Sequence, residues 1–225
     1  MGQLLFYAFF YGRTLILEHP IRASAVVAIL LLLHGLQGPG GFTMYLRTAR
    51  FVARLERDVA ANPDNATARR ELAQVWLRRR RWKKAERLLV EARRRDPEMP
   101  ELSYLLARAR LAQGDADSAI PLCIDAASRD PKLRFGDVYR VAAIALERVN
   151  RLPDAEDALL RLLEINSSSV EGWTRLLRVR RRRADVPGAK AAQDGAMEAY
   201  EHSPRFRKRA ELGWYLRARW GGLFV

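Results

Sequence analysis

The chain has 225 residues, of which 40 are Lys or Arg and 26 are Asp or Glu, so its formal net charge is +14. This length is sufficient for one sizeable folded domain with a further segment. The single cysteine, Cys123, excludes a framework of internal disulfides. The excess of cations indicates either an acidic partner, such as anionic lipid, nucleic acid or an acidic protein, or simply well-solvated helix faces.

The sequence offers little basis for catalysis or metal binding. None of the histidines, His19, His34 and His202, has a Cys or His neighbour at metal-ligand spacing. No phosphate-binding loop, dinucleotide fingerprint, nucleophile elbow or zinc-protease motif is present. Cys123 lies among apolar residues and is expected to be packed rather than reactive. We therefore predict that the protein is not an enzyme and uses no cofactor.

Residues 1–41 are predicted to form a hydrophobic membrane anchor. A first apolar run, residues 3–17, is rich in Phe and Tyr, and a second run, residues 21–36, has no charge between positions 23 and 33. A spanning helix needs about 20 apolar residues, which the second run approaches. Residues 3–38 are therefore the predicted contact with the lipid bilayer.

This segment fits one spanning helix near residues 21–38 that follows an interfacial helix, and it also fits a helical hairpin. A cleaved signal peptide fits less well, because residues 35–41 offer no small-residue cleavage site. A buried core helix is the remaining alternative. Arginines are more frequent after the segment than before it, which predicts a bacterial inner-membrane location with the following domain on the cytoplasmic side. The periplasmic side is the alternative.

A fixed spacing organises the centre of the chain. Leu72, Ala73, Ala85, Ala92 and Pro97 are each followed 34 residues later by the same residue type. A period of this length is typical of a solenoid of repeated helical units. The pattern resembles the tetratricopeptide repeat family, whose unit is two antiparallel helices. The resemblance implies that the periodic small residues lie where helices approach closely, and that the proline ends the second helix.

The resemblance implies an all-α, helix–turn–helix solenoid of about four repeats within residues 63–204. The first repeat is expected at about 66–99 and the second at about 100–133, whereas the third has two extra residues before its first helix. In the fourth repeat, Arg180 and Gln193 replace aromatic residues of the family pattern. We therefore expect its second helix to be packed less tightly.

Residues 42–62 are predicted to form a connecting amphipathic helix. Phe51, Leu55 and Val59 recur every four residues and are expected to form its apolar face. The position of this helix relative to the repeat period matches the second helix of a preceding repeat. It is therefore expected to act as a leading half-repeat.

Residues 205–225 are predicted to form a capping helix and a short tail. A cap covers the open face of the last repeat. The alternative is that the segment 213–215 contacts a partner. The side chains expected to face the repeats are Phe206, Leu212, Leu216 and Trp220.

The resemblance also implies that the first helices of the repeats line a concave groove that binds a protein. Arg70 and Gln74 do not match the Lys and Asn of the carboxylate-clamp subclass, so that specificity is not expected here. The groove is predicted to be mixed in the centre and basic towards its carboxy-terminal end, which suits a partner with acidic segments. Its predicted residues are Arg70, Gln74, Tyr104, Arg108, Arg140, Arg175, Arg178 and Arg181.

A run of cations surrounds Trp82 at the predicted turn of the first repeat. A basic track with stacking aromatic rings is typical of nucleic-acid binding. The other interpretation is a solvated helix corner whose tryptophan packs against the core, and the presence of a single aromatic residue favours it. The basic patch consists of Arg78, Arg79, Arg80, Arg81, Lys83 and Lys84.

The sequence therefore predicts a membrane-anchored adaptor that binds protein partners without catalysis. One alternative is a basic helical-repeat module associated with nucleic acid or the ribosome. Another is a scaffold for envelope assembly that faces the periplasm. The oligomeric state does not follow from the sequence.

Overall fold

The computed structural model describes the backbone of residues 42–220 and the side chains of residues 49–220. Every secondary-structure element in this range is a helix, as the all-α prediction requires. The helices are α1 (Phe42–Ala61), α2 (Ala66–Arg78), α3 (Trp82–Arg95), α4 (Pro100–Ala112), α5 (Ala116–Arg129), α6 (Asp137–Arg148), α7 (Leu152–Ile165), α8 (Val170–Arg182), α9 (Val186–Glu201) and α10 (Arg205–Trp220).

The predicted anchor, residues 1–41, lies outside the described residues, as does the tail at 221–225. None of the helices within residues 42–220 combines the length and the hydropathy that crossing a bilayer requires.

Consecutive helices form four helix–turn–helix repeats, namely α2 with α3, α4 with α5, α6 with α7, and α8 with α9. Each second helix also packs against the first helix of the next repeat. Helix α1 packs on α2 as the leading half-repeat, and α10 packs on both α8 and α9 as the cap. The predicted solenoid, with its half-repeat and capping helix, is confirmed.

Alanines at the repeat period set how closely the helices approach. Where a neighbouring helix lies against a methyl group, a larger side chain would push the two backbones apart. Cys123 lies in the same core with an exposed fraction of 1%, and burial raises the pKa of its thiol to about 12, so it is packed and protonated. The fully buried periodic alanines are Ala73, Ala85, Ala92, Ala107, Ala119, Ala126, Ala143 and Ala155.

The two helices of every repeat are joined by the same turn. The residue after the C-cap of each first helix has a positive φ, which is 57° at Arg80, 95° at Gly114, 60° at Asn150 and 58° at Ala184. The N–H of the following residue then donates to a carbonyl five residues earlier. In the second repeat, the N–H of Asp115, which follows Gly114, donates to the Arg110 carbonyl at 3.0 Å. This pair of features is the Schellman motif. Gly114 has glycine's freedom to adopt a positive φ, whereas the other three residues adopt it with a side chain.

The connection between the second and third repeats is longer than the others. Residues 130–136 separate α5 from α6, whereas residues 96–99 suffice between α3 and α4. The loop contains consecutive positive φ angles of 49° at Arg134, 58° at Phe135 and 78° at Gly136. The extra length of the third repeat therefore lies before its first helix, as predicted.

The apolar face predicted for α1 is wrong at its first residue. Phe51 has an exposed fraction of 45%, and Val52 is buried instead, together with Leu55. Val52, Leu55 and Val59 are spaced by three and four residues, which keeps them on one side of a helix with 3.6 residues per turn. A constant spacing of four drifts around the helix, and for that reason Phe51 turns away from α2.

The side of α10 that was predicted to face the repeats is also wrong. Phe206, Leu212, Leu216 and Trp220 are exposed, whereas Ala218 is fully buried.

Polar and aromatic contacts determine the orientation of α10. The Gln193 amide donates to the Ala218 carbonyl at 2.8 Å, and the Thr174 hydroxyl donates to the Trp214 carbonyl at 3.3 Å. The ring of Tyr215 stacks on Tyr200, with centroids 4.2 Å apart. Trp214 and Tyr215 therefore belong to the cap contact rather than to a free partner surface.

The expectation of a loosely packed second helix in the fourth repeat is wrong as well. Ala189, Ala192 and Ala196 of α9 are buried. Gly195 lies directly under Trp173, where a Cβ would come within 2.8 Å of the indole ring. Small residues on α9 thus leave room for the large ring of Trp173 on α8. This contact compensates for the missing aromatic residue of the family pattern.

We expect Gly114→Ala to lower the free energy of unfolding by about 1 kcal/mol, because a side chain is strained in the left-handed region. No heavy atom lies within 4 Å of the added Cβ, so the effect is conformational and not steric. Ala184→Gly is the matched opposite change and should leave the free energy of unfolding unchanged or raise it by up to about 1 kcal/mol. Urea denaturation followed by circular dichroism measures both, and equal losses in the two variants would contradict this account of the turns.

Candidate partner-binding face

The first helices of the repeats lie side by side on one face of the solenoid. Helix α2 contacts α4, and α4 contacts α6. On the opposite face a cleft of about 630 Å³ separates α3 from α5, and another of about 380 Å³ separates α5 from α7. The solenoid is therefore closed along its first helices and open along its second helices. We call the face of α2, α4, α6 and α8 the inner face.

A repeating contact joins neighbouring first helices across the inner face. From the second repeat onwards, an acidic residue near the start of the first helix accepts a hydrogen bond from a side chain of the preceding first helix. We call these contacts the inter-repeat ladder. Its members are Arg70 with Glu101, at 3.0 Å between Nη1 and Oε2; the Tyr104 hydroxyl with Asp137; and Arg140 with Glu171, at 3.4 Å between Nη1 and Oε1.

Asp137 is the centre of the ladder. It accepts from Arg140 Nε at 2.5 Å and Nη2 at 3.1 Å, and also from the Tyr104 hydroxyl. Burial alone would raise the pKa of this carboxyl, but the contacts with Arg140 and Tyr104 outweigh it and hold the pKa below its ordinary value. Burial, reinforced by the charge of Asp137, raises the pKa of Tyr104 to about 12. The phenol therefore stays protonated and donates.

The ring of Tyr104 lies between two guanidinium groups. Those of Arg108 and Arg134 are each 5.6 Å from the ring centroid. Arg134 also pairs with Glu101, and this hydrogen bond raises the pKa of Arg134. Arg108 donates no hydrogen bond and forms no ion pair within residues 49–220, although its charge helps to lower the pKa of Asp137. Its N–H donors are therefore available to a ligand.

At the carboxy-terminal end of the inner face, arginines of α8 meet an acid of α6. Glu147 accepts from Arg175 Nη1 at 3.5 Å and from Arg178 Nη2 at 2.6 Å. The guanidinium of Arg175 also lies 5.1 Å from the ring centroid of Trp214 in the cap. About one turn further along α8, Arg181 has no partner in the described part of the chain.

The structure places all eight predicted groove residues on first helices. Six of them contact acidic residues of the inner face, including Gln74, whose amide lies 3.3 Å from Glu101. Within residues 49–220, Arg108 and Arg181 are the members of the set whose guanidinium donates no hydrogen bond and forms no ion pair. Residues 100–169 contain 9 cations and 11 acids, so the centre of the solenoid is not basic.

The acids of the ladder stand at groove-facing positions of the repeats, but they were not counted among the predicted binding residues. Glu101, Asp137 and Glu171 follow one another at spacings of 36 and 34 residues, which are the repeat lengths themselves. This spacing was the signal that could have identified them. An acidic residue at this position takes part in each of the three interfaces between repeats.

The basic patch lies at the turn between α2 and α3. Its residues are exposed except Arg79, which is half-buried. Arg79 and Lys84 lie 5.3 Å and 4.9 Å from the ring centroid of Trp76. Trp82 packs against the core. Both aromatic rings near the patch are thus engaged within the protein, and neither is free to stack on a base in this arrangement.

A polar cluster joins the first and second repeats away from the ladder. The buried Ser103 hydroxyl donates to Asp125 at 2.5 Å and accepts from Arg93 Nε at 2.9 Å. The hydrogen bond from Ser103, together with arginine contacts, holds the pKa of Asp125 below its ordinary value. A carboxylate of low pKa is a weak base, so the cluster is suited to joining helices. No group of three or more His, Cys, Asp or Glu within the described residues is placed to hold a metal ion.

Comparisons with known proteins place this geometry among related folds. A family model described as tetratricopeptide repeat matches residues 52–109 and 81–132. Among curated protein sequences, no relative matches the chain.

Solved structures of similar fold cover most of the chain at low sequence identity. MamA from Desulfovibrio magneticus has a TM-score of 0.60 and 13% identity, over 71% of this chain and 90% of that one. YrrB, described as a TPR protein with an unusual peptide-binding site, has a TM-score of 0.63 and 15% identity, over 79% and 86%. A thermophilic TPR protein of Thermus thermophilus has a TM-score of 0.57 and 17% identity, over 86% and 100%.

We expect Asp137→Asn to lower the free energy of unfolding at pH 7 by about 1–3 kcal/mol, because Arg140 and Tyr104 lose a charged acceptor. The pKa of Asp137 is lowered on folding from 3.8, so its contribution is present above that pH and is lost as the pH falls through the folded value. The difference between wild type and variant should therefore narrow towards pH 3.

Urea denaturation at both pH values measures this difference. Asp194→Asn is the matched control, since the exposed Asp194 makes no hydrogen bond or ion pair within residues 42–220. A difference that stays constant between neutral and acid pH would rule out the ionised Asp137 as the centre of the ladder.

Proposed function

We propose that this chain, as a tetratricopeptide repeat protein, is an adaptor whose inner face binds an extended segment of a protein partner. Proteins of this family are generally non-catalytic interaction scaffolds. The observation that carries the proposal is the pair Arg108 and Arg181, whose guanidinium groups donate no hydrogen bond and form no ion pair within residues 49–220, on a face where the other predicted cations are paired.

The inter-repeat ladder supports this proposal because it holds the inner face in place before a partner arrives. Arg108 rests on the ring of Tyr104, and the hydroxyl of Tyr104 is fixed by Asp137. A side chain that is already ordered loses less conformational entropy on association. A guanidinium group also binds a carboxylate through two parallel hydrogen bonds.

The positions of the two arginines favour a particular kind of segment. Arg108 lies on α4 and Arg181 on α8, with α6 between them. Ile144 is half-buried on α6, one turn from Arg140 and on the same side of that helix. A segment with an acidic residue at each end and an apolar residue between them would match this order. Acidic segments are therefore the proposed partner chemistry.

We also propose that residues 3–38 hold the adaptor at the bacterial inner membrane with the repeats in the cytoplasm. The apolar runs and the arginines that follow them support this proposal. The full chain should then resist carbonate extraction, and protease added to spheroplasts should leave the repeats intact. Digestion of the repeats in intact spheroplasts would place them in the periplasm and overturn the orientation.

We expect the double variant Arg108→Glu with Arg181→Glu to retain at most about a tenth of the wild-type partner capture, because each lost hydrogen bond to a charged group contributes about 1.5–3 kcal/mol. The measurement is affinity capture of the full chain from native membranes in mild detergent with nuclease present. Circular dichroism checks that the variant remains folded.

The matched control for this capture is Arg87→Glu with Arg161→Glu, which makes the same change of charge on exposed residues of α3 and α7. Capture by the control should equal that by the wild type. Unchanged capture by the inner-face variant, or equal loss in both variants, would refute the assignment of the binding face.

A further inference from the structure

The cap helix α10 turns an apolar stripe to solvent. The exposed fractions are 77% for Phe206, 44% for Leu212 and Leu216, and 51% for Trp220. The opposite side of the helix carries the fully buried Ala218 and the contacts with α8 and α9. A helix that needs only one side for packing does not need large apolar residues on its other side. The stripe therefore requires a different explanation from the capping role.

The same helix is strongly cationic. It has six Lys or Arg residues and one carboxylate, Glu211, which gives a net charge of +5. Glu211 is turned towards the repeats, where it accepts from Arg207 at 2.8 Å and from the buried Ser203 at 3.3 Å. The only acid of the helix is thus already occupied within the fold.

The arginines within and beside the stripe have no acidic partner in the described part of the chain. The side chains of Arg205 and Arg209 make no hydrogen bond, ion pair or ring contact there. Arg217 lies 4.7 Å from the ring centroid of Trp214, and Arg219 donates to the Tyr215 hydroxyl at 3.0 Å. We call the stripe and these arginines the terminal surface. Its residues are Arg205, Phe206, Arg209, Leu212, Leu216, Arg217, Arg219 and Trp220.

The charge of the terminal surface argues against pairing with a second copy of the chain. A symmetric pairing would bring two helices of charge +5 together with no acid on either exposed side. An acidic protein would match the charge, but one stripe of Phe, Leu and Trp flanked by arginine is the composition of helices that lie in a membrane interface. Aromatic rings favour the headgroup level, and arginines favour lipid phosphates.

We propose that the terminal surface binds the surface of a bilayer that contains anionic lipid. The helix lies flat on the membrane, and its 16 residues extend over about 24 Å. The apolar side chains enter the boundary between headgroups and acyl chains. Arg209, within the stripe, keeps its aliphatic stem there while its guanidinium reaches a phosphate. This contact is separate from the inner face and from residues 3–38.

The test uses the full chain with an environment-sensitive fluorophore attached through Leu216→Cys. The native Cys123 is 1% exposed, so the new thiol is labelled selectively. The protein is reconstituted with vesicles of phosphatidylcholine alone or with phosphatidylglycerol. We expect a blue shift and quenching by brominated lipid only in the anionic vesicles. The same label at Glu164→Cys, on the exposed side of α7, should not respond.

This readout is local to α10 and does not depend on whether residues 3–38 insert. In the Leu216→Cys background, Arg205→Glu with Arg209→Glu should lower the ratio of quenched to unquenched label by roughly tenfold or more, since neither arginine has a partner to lose. The control pair Arg87→Glu with Arg161→Glu should leave the ratio unchanged.

Four results would overturn the proposal. A blue shift of equal size in neutral vesicles would show that binding does not require anionic lipid. A shift that follows protein concentration and ignores lipid would identify a second copy as the occupant. A shift produced by polyglutamate but by neither vesicle would identify an acidic polypeptide, and no shift under any of these conditions would leave the surface without the proposed ligand.

Discussion

The close approach of helices at the periodic alanines is the constraint on which the rest of the structure depends. Each of these methyl groups is fully buried against a neighbouring helix, as at Ala107 and Ala119. Enlarging such a side chain in a well-packed core costs about 1–3 kcal/mol. The spacing of the alanines therefore fixes the distance between helices. It brings α2, α4 and α6 near enough for an acid on one to reach a donor on the preceding one.

The inter-repeat ladder adds specificity to this packing rather than most of the stability. In a solenoid each repeat contacts only its neighbours, so each interface needs its own alignment. Ion pairs that remain partly exposed contribute at most about 1 kcal/mol each. The contact of Tyr104, Asp137 and Arg140 is better shielded, and it aligns the central interface. The engaged residues hold the inner face rigid, while Arg108 and Arg181 remain able to bind.

The repeat period and the family resemblance were sufficient to predict the number of repeats and the longer connection before the third repeat, because these depend on spacing along one chain. The orientation of α10 was not predictable in this way, since the helix has large side chains on both sides. Hydrogen bonds from Gln193 and Thr174 to its backbone select the side that packs. No hydrophobic pattern contains that information.

The repeat register places the acids of the inner face beside its arginines, but it does not determine which of them form pairs. Arg140 pairs with Glu171 because the two repeats are rotated to a specific angle. The positions of the charged residues in the sequence do not determine that angle. The prediction of a groove with mixed charge in its centre therefore came without the pairs that the structure shows. Positive charge collects instead at the ends of the described solenoid, with 12 cations against 5 acids in residues 66–99 and six against one in α10.

Photo-crosslinking in cells would show whether a partner segment lies on the inner face. A benzophenone amino acid at position 144, on α6 between Arg108 and Arg181, is compared with the same group at position 124. Ile124 lies on α5, a second helix, and has an exposed fraction of 63%. We expect position 144 to form crosslinks to a protein partner and position 124 to form none. Crosslinks from position 124 alone, or equally from both positions, would contradict this expectation.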